Sequence, residues 1–131
     1  MHFTGHVSDE ELVAYYDIAD LFLCASEHEG FCVPLVEAFY MGVPVLAYAA
    51  TAVPSTMDGA GILYTDRDPD HVAALMDAIV SRGTLRDEIV SGQTAAVNRL
   101  QAQDFAGTLL GFVDRILEAP RAARPSVTYD F

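Results

Sequence analysis

Residues 21–48 read LFLCASEHEGFCVPLVEAFYMGVPVLAY, and the order of their parts decides the fold. The stretch opens on a short unbroken apolar run, residues 21–25, which suits a strand covered on both faces rather than one with a wet side. A polar loop containing Gly30 follows. Pro34 then stands where the first turn of a helix accepts it, because that position needs no N–H donor. The helix is expected to reach Met41 and to stop at Gly42, a residue suited to the left-handed cap. Residues 43–48, Val-Pro-Val-Leu-Ala-Tyr, read as the next strand. Strand, loop, helix and strand at this spacing imply two parallel strands with the helix laid across one face.

Working outward, Ser8 and Glu11 form a capping box that opens a helix to about Asp20, with Leu12, Tyr15, Tyr16 and Ala19 as its apolar stripe. On the other side, a loop containing Pro54 leads to a short strand at residues 61–64. Asp68-Pro69 opens a helix to Ser81 that Gly83 is expected to close. Residues 84–118 are helical in pattern, with breaks near Gly92 and Gln103. Residues 1–118 are therefore expected to form one domain and residues 119–131 an irregular tail. Strands alternating with helices imply a three-layer α/β fold, a parallel sheet with helices on both faces. Ligands of such sheets sit at the C-terminal ends of the strands.

At 131 residues, 52% of them apolar, the chain can bury one core. A net charge of −12 excludes nucleic acid and anionic lipid surfaces as partners, since both reward clustered cations. All seven cations are arginines, and none precedes Arg67. No apolar run approaches the roughly 20 residues of a membrane span, and no secretory leader is evident, so a cytoplasmic location is expected. Cys24 and Cys32 have no further ligand at metal spacing. They are expected to be reduced thiols, with Cys24 a small buried hydrophobe, and no metal or other cofactor is expected.

The loop after the first strand carries the chemistry, with Glu29 on the loop and Glu37 within the helix. The helix N-terminus presents amides and a partial positive charge that favour phosphate, and Gly30 permits close backbone approach. A carboxylate is a poor phosphate ligand but a good acceptor for paired hydroxyls. Two acids flanking an amide-lined anion site therefore suggest a nucleotide sugar. The sugar would meet Glu29, the diphosphate the amides of Gly30, Phe31, Cys32, Val33, Leu35 and Val36, and the ribose Glu37. His28 reads as a surface residue and Phe31 as an apolar anchor under the loop. Arg82, Arg86 and Arg99 read as exposed.

Glu29-Gly-Phe-x-x-Pro-x-x-Glu37-Ala followed by Gly42-x-Pro-Val resembles the donor-site motif of the family-four retaining glycosyltransferases, down to the seven residues between the acids. Residues 3–12, Phe-Thr-Gly-His-Val-Ser-Asp-Glu-Glu-Leu, Ala19-Asp-Leu-Phe-Leu, Val53-Pro54 and Gly59-Ala-Gly-Ile-Leu-Tyr64 are also similar to that family, so the resemblance covers residues 2–118. It implies an incomplete Rossmann-like C-terminal domain of the GT-B fold. It also implies glycosyl transfer with retention from a UDP-, GDP- or ADP-linked sugar, without a metal, and makes Glu29 the catalytic-site acid at the transferred sugar.

The family's leaving-group Arg and Lys, carried on an earlier Gly-rich segment, have no counterpart here. The chain is accordingly expected to need an N-terminal acceptor domain and to be inactive alone. Cys32 stands where a second glycine is common, which ordinary backbone angles would tolerate. Ser55 stands where an acid often follows the proline. The competing reading is a stand-alone nucleotide-sugar-binding or interaction module without catalysis. A flavodoxin-like signalling domain fits less well, because Asp20 precedes its strand and no lysine exists. An incomplete sheet leaves an open edge, expected to pair copies of the chain into a homodimer.

Overall fold

The computed structural model describes residues 2–118; residues 2–101 form one compact unit, and residues 102–118 belong to a second. The first unit runs α1 (Asp9–Ile18), β1 (Phe22–Cys24), α2 (Val33–Tyr40), β2 (Val45–Tyr48), α3 (Val53–Met57), β3 (Ile62–Tyr64), α4 (Pro69–Ser81) and α5 (Gly83–Gln101). The second holds α6 (Phe105–Glu118). The expected tail at 119–131 lies outside the described residues.

The three strands form one parallel sheet in the order β1-β2-β3. Phe22 is in register with Val45, and Leu46 with Ile62. Strand side chains alternate between faces, so β2 feeds two separate cores. On one face Val45 and Ala47 pack with Leu35, Ala38 and Phe39 of α2, Val53 and Met57 of α3, and Ala96 and Val97 of α5. On the other, Leu46 packs with Tyr64, Ile79 of α4 and Ile89 of α5. This is the expected α/β layering, with helices on both sides of the sheet.

Local signals explain the elements that open cleanly. Ser8 accepts the Glu11 amide while the Glu11 carboxylate accepts the Ser8 amide at 2.9 Å, the reciprocal capping box. Asp68 caps α4 by accepting the Asp70 amide at 2.8 Å. Gly42 takes φ 70° after α2, the left-handed turn that glycine adopts without cost.

Five expectations need correction. The β1 run is not covered on both faces, because Leu23 is 39% exposed. Of the α1 stripe, Tyr16 is buried and Ala19 half-buried, whereas Leu12 and Tyr15 stay exposed. The loop around Pro54 contains the helix α3, with the proline in its first turn. Gly83 starts α5 instead of closing α4, with Arg82 as the extended residue between them. Gly92 does not break α5, because the turns on either side of it are anchored by buried Ile89, Gln93, Ala96 and Val97. Packing there outweighs the roughly 1 kcal/mol that a mid-helix glycine costs.

Gln93 is the fully buried polar side chain of the unit. Its Nε2 donates to Val43 O at 2.8 Å, and its Oε1 accepts the Val45 amide at 2.9 Å. The start of β2 is thereby tied to α5 across Pro44, which has no N–H to offer the sheet.

Candidate functional site

The loop between β1 and α2 lies at the C-terminal end of the sheet, and two neighbours clasp it. Thr51 Oγ1 accepts the Glu29 amide at 2.9 Å and donates to the Glu29 carbonyl at 3.0 Å. Thr56, on α3, donates to the Phe31 carbonyl. Thr51 sits at φ 44°, a left-handed conformation that costs a β-branched residue energy and aims its hydroxyl across the gap. Neither contact is visible in sequence, because each spans more than twenty residues.

Cys32 ends the loop as the N-cap of α2, at φ 63° and ψ 66°. The condition under which a side chain replaces glycine harmlessly is therefore not met: the position is left-handed, which explains why glycine suits it. The Cys32 side chain is buried and so compensates part of the strain. Its Sγ lies 3.9 Å from that of Cys24, and both thiols are unbonded. Burial, reinforced by Cys24 and by the Glu29 charge, pushes the Cys32 thiol up to about 12.

Phe31 is 47% exposed, so it is not the apolar anchor expected of it. Cys32 and the two threonines anchor the loop instead. His28 is exposed, as read from sequence. Glu29 is half-buried, and its carboxylate lies within 4.8 Å of both cysteine sulfurs. Gly30 and Val33 are exposed. Leu35 is fully buried, and its amide donates back to Cys32 O at 3.0 Å.

Glu37 projects from α2 into a groove of about 590 Å³ shared with α1 and α5 and lined mainly by apolar side chains, among them Leu12, Val13, Val36 and Tyr40. Glu29 is not part of that lining. The Tyr16 hydroxyl donates to Glu37 Oε2 at 3.1 Å, with Pro34 O also near at 3.3 Å. Burial of the Tyr16 phenol, together with the Glu37 hydrogen bond and charge, pushes it up to about 12. The phenol is thus a fixed donor that orients the carboxylate.

The fold also brings one cation to the loop. Arg67, past the end of β3, pairs with Glu27 and lies 5.3 Å over the Tyr48 ring. Of the arginines read as exposed, Arg82 and Arg99 are exposed and Arg86 is half-buried. Arg86 donates to Asp20 O at 2.8 Å, fixing the turn before β1, and Arg99 donates to the Asp58 carboxylate at 2.7 Å.

Residues 1–94 match the family described as Glycosyl transferases group 1. The chain belongs to that family. Among its relatives is the MMP alpha-(1->4)-mannosyltransferase of Mycolicibacterium hassiacum, 30% identical over 89% of this chain and 29% of that protein. The GDP-mannose-dependent alpha-(1-6)-phosphatidylinositol monomannoside mannosyltransferase of Mycobacterium tuberculosis is 30% identical over 93% of this chain and 33% of that protein. O-antigen chain mannosyltransferase B of Escherichia coli is 35% identical over 56% and 19%. The chain thus spans a third or less of these curated relatives.

A crystal structure of the C-terminal domain of a glycosyl transferase group 1 family protein (LpcC) from Francisella tularensis superposes with a TM-score of 0.63 at 27% identity, over 74% of this chain and 51% of that one. Family-four membership and the GT-B C-terminal architecture, both implied by the motif, stand together on these matches. No described helix is long and apolar enough to cross a membrane.

Proposed function

We propose that this chain is the donor-binding part of a retaining mannosyltransferase, taking its sugar from GDP-mannose. The observation that carries the reading is the placement of Glu37: its carboxylate, oriented by Tyr16, faces a mainly apolar groove of about 590 Å³ whose lining also includes Asp9 and Gln101. That volume suits a nucleoside, whose base needs apolar walls and whose ribose needs a paired-hydroxyl acceptor. The GDP-mannose dependence of the Mycobacterium tuberculosis relative supplies the base and the sugar.

In this reading Glu37 accepts the ribose hydroxyls. The diphosphate meets the amides of Gly30, Phe31, Cys32 and Val33 with Val36 beyond them, where the positive end of α2 favours developing negative charge. The Leu35 amide, already bonded to Cys32 O, leaves that residue a packing role. Glu29, its backbone clasped by Thr51, faces the hydroxyls of the transferred sugar. Among the described residues Arg67 is the cation nearest this loop in the chain, and it is already paired with Glu27. The main cationic stabilisation of the departing diphosphate is therefore assigned to a partner domain, and the isolated chain binds donor without turning it over.

Calorimetry tests this on the isolated chain. GDP-mannose is expected to bind more tightly than UDP- or ADP-linked sugars, and Glu37→Ala to weaken it by about 10-fold or more, the loss of hydrogen bonds to a charged acceptor worth about 1.5–3 kcal/mol. Equal binding by parent and variant removes Glu37 from the site. Turnover of the donor by the isolated chain would contradict the division of labour.

A further inference from the structure

The end of β1, the loop and the N-cap of α2 bring together two thiols and the Glu29 carboxylate, a grouping that donor binding does not require. Cys24, Glu29 and Cys32 place two sulfurs and a carboxylate oxygen within 4.8 Å of one another. Both cysteines are buried, while Glu29 is half-exposed and leaves one side open. The sulfur separation is 3.9 Å. Two thiolates bound to one tetrahedral zinc at about 2.3 Å each are about 3.8 Å apart, so the pair already has the spacing of a metal-bound edge.

We propose that Cys24, Cys32 and Glu29 form a three-ligand site for one thiophilic divalent cation of the zinc class, with a fourth position open to water. The donor set is chemically selective: two thiolates favour zinc and cadmium over magnesium, calcium or manganese, which prefer all-oxygen ligands. The supports are rigid. Cys24 is held in register with Ala47 of β2, and the loop that carries Glu29 is fixed by the Thr51 clasp. Sequence spacing conceals the site, because its third ligand is a glutamate lying between the two cysteines. Each bound thiol loses its proton to solvent and forms one metal–sulfur bond, with no change in oxidation state. Metal and sugar would compete for Glu29, a consequence that rests on the proposed donor role; the site itself does not.

The purified chain, kept reduced with a phosphine, is titrated with cadmium chloride while the ultraviolet thiolate-to-cadmium charge-transfer band is followed. One saturable equivalent per chain is expected. Cys24→Ser and Cys32→Ser should each abolish saturable binding, and Glu29→Gln should weaken it about 10-fold while keeping the band. Circular dichroism reports whether each variant is folded. On the unmodified chain, zinc chloride should also protect both cysteines from iodoacetamide. No band in the folded parent, no protection by zinc, or a Glu29→Gln affinity equal to the parent's would each overturn the three-ligand site. None of these readouts involves a nucleotide sugar, so the site and the donor reading fail independently.

Discussion

Tyr16 shows how one hydroxyl can couple the core to the groove. Its ring packs in the core cluster that also contains Leu35 and Phe39, while its hydroxyl donates to Glu37. Its folded-state value, about 12, lies above the ordinary 10.0, so the stability it contributes is fully present below 10 and is lost as pH rises through 12. In a spectrophotometric titration of the folded chain, Tyr16→Phe should delete a phenol that ionises near the top of that window. The loss of stability between those pH values should shrink in the same variant. A titration curve that merely loses an ordinary phenol would show that Glu37 is oriented by something else.

Cys32 carries the opposite kind of information, a strained backbone at a buried position. A left-handed conformation costs an ordinary L-residue roughly 1–2 kcal/mol and glycine nothing, but glycine loses chain entropy and the buried sulfur. The terms nearly cancel, so Cys32→Gly should stay within about 1 kcal/mol of the parent. Cys32→Val adds a β-branched side chain at φ 63° and should lose about 2 kcal/mol or more. Urea midpoints of the three proteins give the ranking. Valine equal to glycine would mean that the turn relaxes.

Among the elements, those marked by local chemistry were legible in sequence. The Ser8–Glu11 box, Pro34 with Gly42 around α2, and the Asp68 cap of α4 act within a few residues, and each element forms where its signal lies. Two of the misreadings concern glycines. Gly83 reads as a stop yet opens α5, and α5 runs through Gly92 because distant contacts outweigh a weak local propensity. The two candidate acids, Glu29 and Glu37, could be singled out in sequence because they belong to one contiguous motif. The Thr51 and Thr56 clasps, the Tyr16–Glu37 bond and the clustering of Cys24, Glu29 and Cys32 could not, since folding alone brings those partners together.

Gln93 is the sharpest test of such long-range control. Gln93→Leu keeps much of the volume but leaves the buried Val45 amide and Val43 carbonyl without partners. At about 1–3 kcal/mol for each orphaned group, the loss should reach about 2–5 kcal/mol in urea denaturation. A loss below about 1 kcal/mol would show that water enters beside Pro44 and replaces the side chain.

At the scale of the molecule, the sheet is three strands wide and ends on β1 and β3. Phe22 donates to Pro44 O at 2.9 Å, and alternation along a parallel strand then turns the Leu23 amide and carbonyl outward. Beside that unpaired edge the Leu23 side chain is 39% exposed. An edge with an apolar side chain is a template for a second strand, opposed here by the mutual repulsion of chains carrying a net charge of −12. Salt screens that repulsion over about 10 Å at 0.1 M and leaves strand pairing intact. Light scattering at micromolar concentration should therefore show a dimer whose population rises with salt. Leu23→Pro removes the outward N–H without touching a bond to β2, and should return the chain to monomer with its thermal transition little changed. A parent that stays monomeric as salt increases would show that charge or the flanking segment at residues 2–7 protects the edge. A Leu23→Pro variant that still dimerises would place the contact elsewhere on the surface.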